Sequence, residues 1–181
     1  MVKRISLFIL SVLTVAMFSI APVTQSVSGV VDDLPKAEAI ECIAKNIYYE
    51  ARSESYAGQL SVGMVVLNRV NDSRFPDTVC GVVYQGKMSN HATPTKYRKG
   101  VCQFSWVCDG VADKPKNKAI WEQSLKTAKV VYRMYKQGFD ITNGATHYHA
   151  VYVNPKWSTS GEMRRTGKVD SHVFYKWEIK S

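Results

Sequence analysis

The sequence predicts an α+β domain, mainly helical with a small late β-sheet. Apolar residues recur at helical three-and-four spacing in several segments before residue 138. The period changes to two only after Asn143-Gly144. Helices therefore come first and strands last, without the βαβ alternation that builds a parallel sheet.

The first helix is expected from Glu38, because Ile40, Ile43, Ala44, Ile47 and Ala51 share one face. Ser53 and Ser55 break the pattern. A second helix is expected from about Gly58 to Val70, with Leu60, Met64, Val66 and Leu67 on a broad apolar face. The run Arg74-Phe75-Pro76-Asp77 stops it, and Asp77 is the expected N-cap of a short helix through Val83. Residues 86–116 are rich in Gly, Lys, Pro and Asn and read as a long loop, a kind that usually carries function. A long amphipathic helix follows from about Lys118 to Gln137, with Ile120, Trp121, Leu125, Ala128, Val131, Tyr132 and Tyr135 inward. Gly138 stands where a C-terminal glycine cap belongs. Thr146, Tyr148, Ala150 and Tyr152 then alternate with His147, His149, Val151 and Val153 as a strand, and His172–Trp177 reads as a last strand.

The chain has 181 residues, the size of one domain. Its start does not belong to the fold. Lys3 and Arg4 precede an almost unbroken apolar run from Ile5 to Ala21, the order of a secretory signal peptide. Cleavage is expected after Ala21 or in the Ser26–Gly29 stretch; an uncleaved segment would instead touch a membrane. The division is a signal peptide over 1–29, a linker over 30–37 and a catalytic domain over 38–181. A secreted or periplasmic, monomeric protein is expected.

Export bears on the cysteines. Cys42, Cys80, Cys102 and Cys108 all follow the leader, and an oxidising compartment keeps disulfides closed. Four cysteines allow three connectivities, and sequence alone does not choose among them. The pairing favoured is Cys102–Cys108, closing a short loop, with Cys42–Cys80 tying the first helix to a later one. A zinc site is the rival, but no C-x-x-C pair is present. The net charge is +9, and removal of Lys3 and Arg4 leaves 9 − 2 = +7. Such a chain is drawn to polyanions, which outside the cell are wall polymers and anionic lipids. No nucleic-acid module is recognisable.

Glu50 carries the most chemical information. With Ile43 and Ile47 it stands at i, i+4 and i+7, so it shares their apolar face near the helix end. A carboxyl beside apolar walls loses hydration of its charged form, and its pKa rises as a general acid requires. The competing reading is a polar helix edge, or an ion pair with Arg52 or Arg69.

Several motifs carry a resemblance. Asn46-Ile47-Tyr48-Tyr49-Glu50-Ala51-Arg52-Ser53-Glu54 resembles the opening signature of SleB-type cell-wall hydrolases. So do Val65-Val66-Leu67-Asn68-Arg69, Phe75-Pro76-Asp77-Thr78-Val79-Cys80-Gly81, Cys102-Gln103-Phe104-Ser105, Gly144-Ala145-Thr146-His147-Tyr148-His149 and His172-Val173-Phe174-Tyr175. They span about residue 40 to 177 in the family's order. Ser53 departs from the family's usual glycine. The resemblance implies a compact lysozyme-like, lytic transglycosylase-like domain that needs no cofactor, with Glu50 at the catalytic glutamate. It implies peptidoglycan as partner, cut between N-acetylmuramic acid and N-acetylglucosamine to leave 1,6-anhydro ends. A hydrolytic muramidase would need a second carboxylate. Asp72, Asp77, Asp109 and Asp113 are available, but none sits in a fitting motif.

Tyr49, Gln103 and Ser105 are expected to touch substrate, with Trp106 stacking on a sugar and Phe104 either beside it or plugging the core. His147, Tyr148, His149 and Trp157 are further expected contacts. Two other readings stand beside these. His147, His149 and His172 in one zinc site would make an amidase, and a cleft without catalysis would make a wall-binding module.

Overall fold

The structure is a computed structural model that describes residues 36–88 and 97–178. The expected signal peptide, and the expected linker up to residue 35, lie outside the described residues. Three longer helices, α1 (Lys36–Ala51), α2 (Tyr56–Val70) and α4 (Lys118–Lys136), pack against one another, and a short α3 (Val79–Val83) packs against α1 and α2. Two antiparallel sheets accompany them. One pairs β1 (Gly86–Met88) with β2 (Tyr97–Cys102). The other has the order β3-β5-β4, from β3 (His147–Ala150), β4 (Met163–Val169) and β5 (His172–Trp177).

Local sequence explains most boundaries. Ser55 caps α2, its hydroxyl accepting from the Gly58 amide, and Asn117 caps α4 by accepting from the Ile120 amide. Asp77 does not cap α3. Thr78, one residue later, has the extended backbone of an N-cap, and its Oγ1 accepts from the Gly81 amide at 3.0 Å. Three expectations over strands are corrected. Part of the stretch read as loop pairs as β1–β2. The strand after Asn143-Gly144 ends at Ala150, and Tyr152 beyond it is 85% exposed. Met163–Val169 was not expected to be a strand: Arg164, Arg165 and Lys168 hide any apolar alternation, and a register shift interrupts it between Arg165 and Gly167.

The core forms where α1, α2 and α4 meet. Ile43, Ile47, Met64, Leu67 and Val131 have no exposed surface. Gly63 allows the close approach: a Cβ there would stand 2.9 Å from Val131 Cγ2 and 3.3 Å from Ile47 Cδ1. The three-stranded sheet sits on α2 through a second cluster of Val65, Ala145 and Phe174. Asn68 fixes the entry to β3. Its Nδ2 donates to Ala145 O at 2.9 Å, to Thr142 Oγ1 at 3.0 Å and to Asp140 Oδ2 at 3.0 Å. Asn143 and Gly144 in that turn both have positive φ, at 54° and 77°.

Both favoured disulfides are present. Cys42–Cys80 ties α1 to α3 with Cα atoms 5.4 Å apart, and Cys102–Cys108 closes the turn after β2. The first spans 38 residues and the second 6. Chain-entropy reasoning assigns about 4 kcal/mol to the longer closure and about 2 kcal/mol to the shorter. Cys42→Ser with Cys80→Ser is therefore expected to lower unfolding free energy about twice as much as the Cys102/Cys108 double replacement, as denaturant titration would read. Equal losses would contradict this.

Candidate active site

The site forms where the C-terminal end of α1 meets the sheet. Glu50 occupies the last turn of α1, half-buried. A polar latch beyond it holds helix and sheet together. Glu54 accepts from the Ser171 hydroxyl and amide in the β4–β5 turn, and Asp170 Oδ2 accepts from the Ser55 amide at 2.9 Å.

Two side chains act on the Glu50 carboxyl. The Tyr148 hydroxyl donates to Oε2 at 3.3 Å. Arg69, on α2 and only 5% exposed, exerts its charge on the same group. Its guanidinium lies 5.2 Å from the centre of the Phe75 ring and 5.3 Å from that of Phe104. Arg69 Nε donates to Thr146 O at 2.7 Å, while Nη1 has no hydrogen-bond partner among the described residues. Burial dominates the balance and raises the Glu50 pKa, against the opposing effects of the Tyr148 hydrogen bond and the Arg69 charge. Burial, with the Glu50 charge beside it, pushes the Tyr148 phenol well above its ordinary value, so it stays a donor. Among the described residues, no carboxylate is among the groups that shift the Glu50 pKa. Asp72 is engaged by Arg74, whose side-chain hydrogen bonds hold its carboxyl below the usual range. Asp109 Oδ1 accepts from the Val111 amide.

An aromatic wall continues from Phe75. His147 lies 6.0 Å from Phe75 and 5.3 Å from Trp157, ring centre to ring centre. Trp157 meets His149 at 5.6 Å and Tyr175 at 5.5 Å. Burial, with the Arg69 and Arg74 charges, holds the His147 pKa down at about 4, so its ring is neutral at neutral pH. In this wall Trp157 meets His149 and Tyr175 edge-on, His147 tilts against Phe75 and Trp157, and His149 stacks on Tyr175.

Other expected contacts divide between surface and core. Gln103 and Ser105 are exposed, whereas Phe104 and Trp106 are 3% and 6% exposed and belong to the helical core. Trp106 stacks on Tyr49 at 4.5 Å and meets Tyr84 edge-on, so its faces serve packing rather than a sugar. Tyr148 also differs from a sugar platform, since its hydroxyl is committed to Glu50. The three histidines do not converge. His172 pairs with Ala150 and His149 with Val173, so His172 shares the face of Tyr148 and Phe174, opposite to His147 and His149. The zinc constellation is thereby split between two faces. Arg69, Phe75 and Tyr175 were not singled out as site residues. Arg69 had one signal available: it is the lone charged residue of α2.

Comparison with known proteins identifies the family. The Cell Wall Hydrolase family model (Hydrolase_2) matches residues 53–175, a span that begins just after Glu50. The chain is 31% identical over 143 residues to the spore cortex-lytic enzyme of Oceanobacillus iheyensis, covering 76% of this chain and 41% of that one. It is 32% identical over 141 residues to that of Halalkalibacterium halodurans, covering 75% and 34%. The chain thus spans less than half the length of these relatives. The crystal structure of the catalytic domain of the Bacillus cereus SleB protein superposes with a TM-score of 0.50 at 25% identity, covering 77% of this chain and 91% of that domain. With helices before a small antiparallel sheet, a glutamate at their junction and these matches, the chain belongs to the cell wall hydrolase family.

Proposed function

We propose that this chain is an exported, secreted or periplasmic enzyme that cleaves the peptidoglycan glycan strand between N-acetylmuramic acid and N-acetylglucosamine. In this reading Glu50 is its single acid and base. The carrying observation is a carboxyl whose pKa is raised by burial, hydrogen-bonded by Tyr148 and within reach of the Arg69 charge, with no carboxylate among the described residues that shift it. A module that only bound glycan would gain nothing from that environment. Neutral Glu50 donates its proton to the glycosidic oxygen as the bond to the anomeric carbon breaks. The resulting carboxylate is stabilised in place by the Tyr148 hydroxyl and the Arg69 charge. It then takes the proton of the muramic 6-hydroxyl while that oxygen attacks the anomeric carbon. No water is consumed, and the product is a 1,6-anhydro sugar. The intramolecular attack is favoured because effective molarities reach on the order of 10⁵ M or more.

The experiment is digestion of purified sacculi followed by mass spectrometry. Fragments ending in 1,6-anhydro-muramic acid are expected, about 18 Da lighter than the reducing ends of hydrolysis, since no water is added. Reducing ends alone would favour a hydrolytic muramidase, and free peptides without glycan cleavage an amidase.

Glu50→Gln is expected to keep the fold and lower cleavage by roughly 10²–10⁴-fold. Because the folded-state pKa of Glu50 lies above its unfolded value, wild-type stability falls as pH rises through the raised pKa. The Gln variant cannot ionise and should escape that loss, so thermal melts above neutral pH separate lost chemistry from lost folding. Wild-type cleavage by the variant would defeat the mechanism.

Tyr148→Phe removes a hydrogen bond that favours the Glu50 carboxylate. The Glu50 pKa should rise further, and the alkaline limb of the pH–rate profile should move to higher pH. A shift to lower pH would mean that Tyr148 stabilises the protonated acid instead.

A further inference from the structure

Glu50 and Tyr148 meet at the closing point of a ring of contacts. The ring leaves α1 at Ala51, whose carbonyl accepts from the Glu54 amide at 3.0 Å. The Glu54 carboxylate accepts from the amide and the hydroxyl of Ser171 in the β4–β5 turn. His172 follows as the first residue of β5, and its Nδ1 faces Glu54 Oε2 at 3.8 Å, too far for a hydrogen bond. The His172 ring stands edge-on to the Tyr148 ring, with centres 5.1 Å apart and planes at 89°. The Tyr148 hydroxyl then returns to Glu50 on α1.

The ring is tightly packed. A Cβ on Gly58 would stand 2.5 Å from Asp170 Oδ2 and 2.8 Å from Glu54 Cβ, so the first turn of α2 closes onto the junction. His172 is 8% exposed, and the Phe174 ring lies 6.3 Å from its own. Its Nδ1 is buried without a hydrogen-bond partner among the described residues. Packing therefore places this side of the imidazole. The titratable groups that face it are Tyr148 and His149 on β3, Glu54 before α2 and Asp170 in the β4–β5 turn.

His172 has no direct electrostatic hold on the acid. Burial, Tyr148 and Arg69 set the Glu50 pKa, and among the described residues neither Glu54 nor His172 contributes. The path from His172 to Glu50 runs through the position of the phenol. At 3.3 Å the Tyr148–Glu50 hydrogen bond is already long for O–H···O, so a small rotation of the tyrosine ring ends it. An edge-to-face partner opposes such a rotation. We propose that His172 is a positioning residue for the reaction: backed by Glu54 and Ser171, it holds the Tyr148 hydroxyl on the Glu50 carboxyl. The proposal rests on Glu50 being the acid of glycan cleavage.

The test follows the alkaline limb of the pH–rate profile on purified sacculi. His172→Val suits a strand and leaves space beside Tyr148. It is expected to move the limb to higher pH by about one unit, the scale of a lost hydrogen bond to a charged group. Added to Tyr148→Phe, the same replacement should move the limb no further, because the hydroxyl it positions is gone. Glu54→Gln should move the limb in the same direction by a smaller amount, and it carries the test if the valine variant does not fold. A limb that stays in place in the folded single variants overturns the inference. So does a limb that moves equally with and without the Tyr148 hydroxyl. Both outcomes leave the Glu50 reading standing. Absence of cleavage by wild-type protein, or a wild-type profile without an alkaline limb, overturns that reading and the inference with it.

Discussion

The burial of one carboxyl at a helix end is the constraint on which this structure turns. Glu50 lies where α1 runs out, on the side of the helix that packs inward. Burial of an ionisable group is unfavourable unless its neighbours compensate. Tyr148 supplies a hydrogen bond and Arg69 an opposing charge, and both come from elements distant in sequence. The fold therefore has to bring α1, α2 and β3 to one point and hold them there.

Each link in that assembly has an identifiable cause. Gly63 lets α2 approach Val131 of α4 and Ile47 of α1. Phe174 and Ala145 seat the sheet against Val65, and Asn68 gathers the turn that leads into β3. Arg69 then reaches Thr146 O, two residues before the tyrosine that meets Glu50. Glu54 and Asp170 close the same junction from its far side. The caged guanidinium is part of this logic: Phe75 and Phe104 cover it, which strengthens its electrostatic reach towards the carboxyl.

Much of the scaffold was legible because helical periodicity is a strong signal. The apolar spacing of α1, α2 and α4 and the aromatic alternation of β5 located those elements. Loop length and helix placement favoured the cysteine pairing that the structure shows, without deciding among the three connectivities. β4 escaped because its basic residues and its bulge remove the alternation, and Thr78 displaced Asp77 because the cap is set by backbone conformation rather than residue type. The site was legible in part. Glu50 stood out because a carboxylate on an apolar helix face conflicts with its surroundings. Arg69 presents the same conflict within α2 but was weighed only as an ion-pair partner for Glu50. Trp106 was expected on a sugar and Phe104 either beside it or in the core; both alternate with Gln103 and Ser105, a pattern that places two aromatics inward and two polar residues outward.

The account stands or falls on the ionisation of one group. Titration of the Glu50 carboxyl carbon by ¹³C NMR in the folded protein measures it directly. A midpoint clearly above the ordinary glutamate value of about 4.3, raised further when Arg69 or Tyr148 is replaced by an apolar residue, is the result predicted. A midpoint at or below the ordinary value, indifferent to both replacements, would contradict the claim that burial prepares Glu50 as an acid.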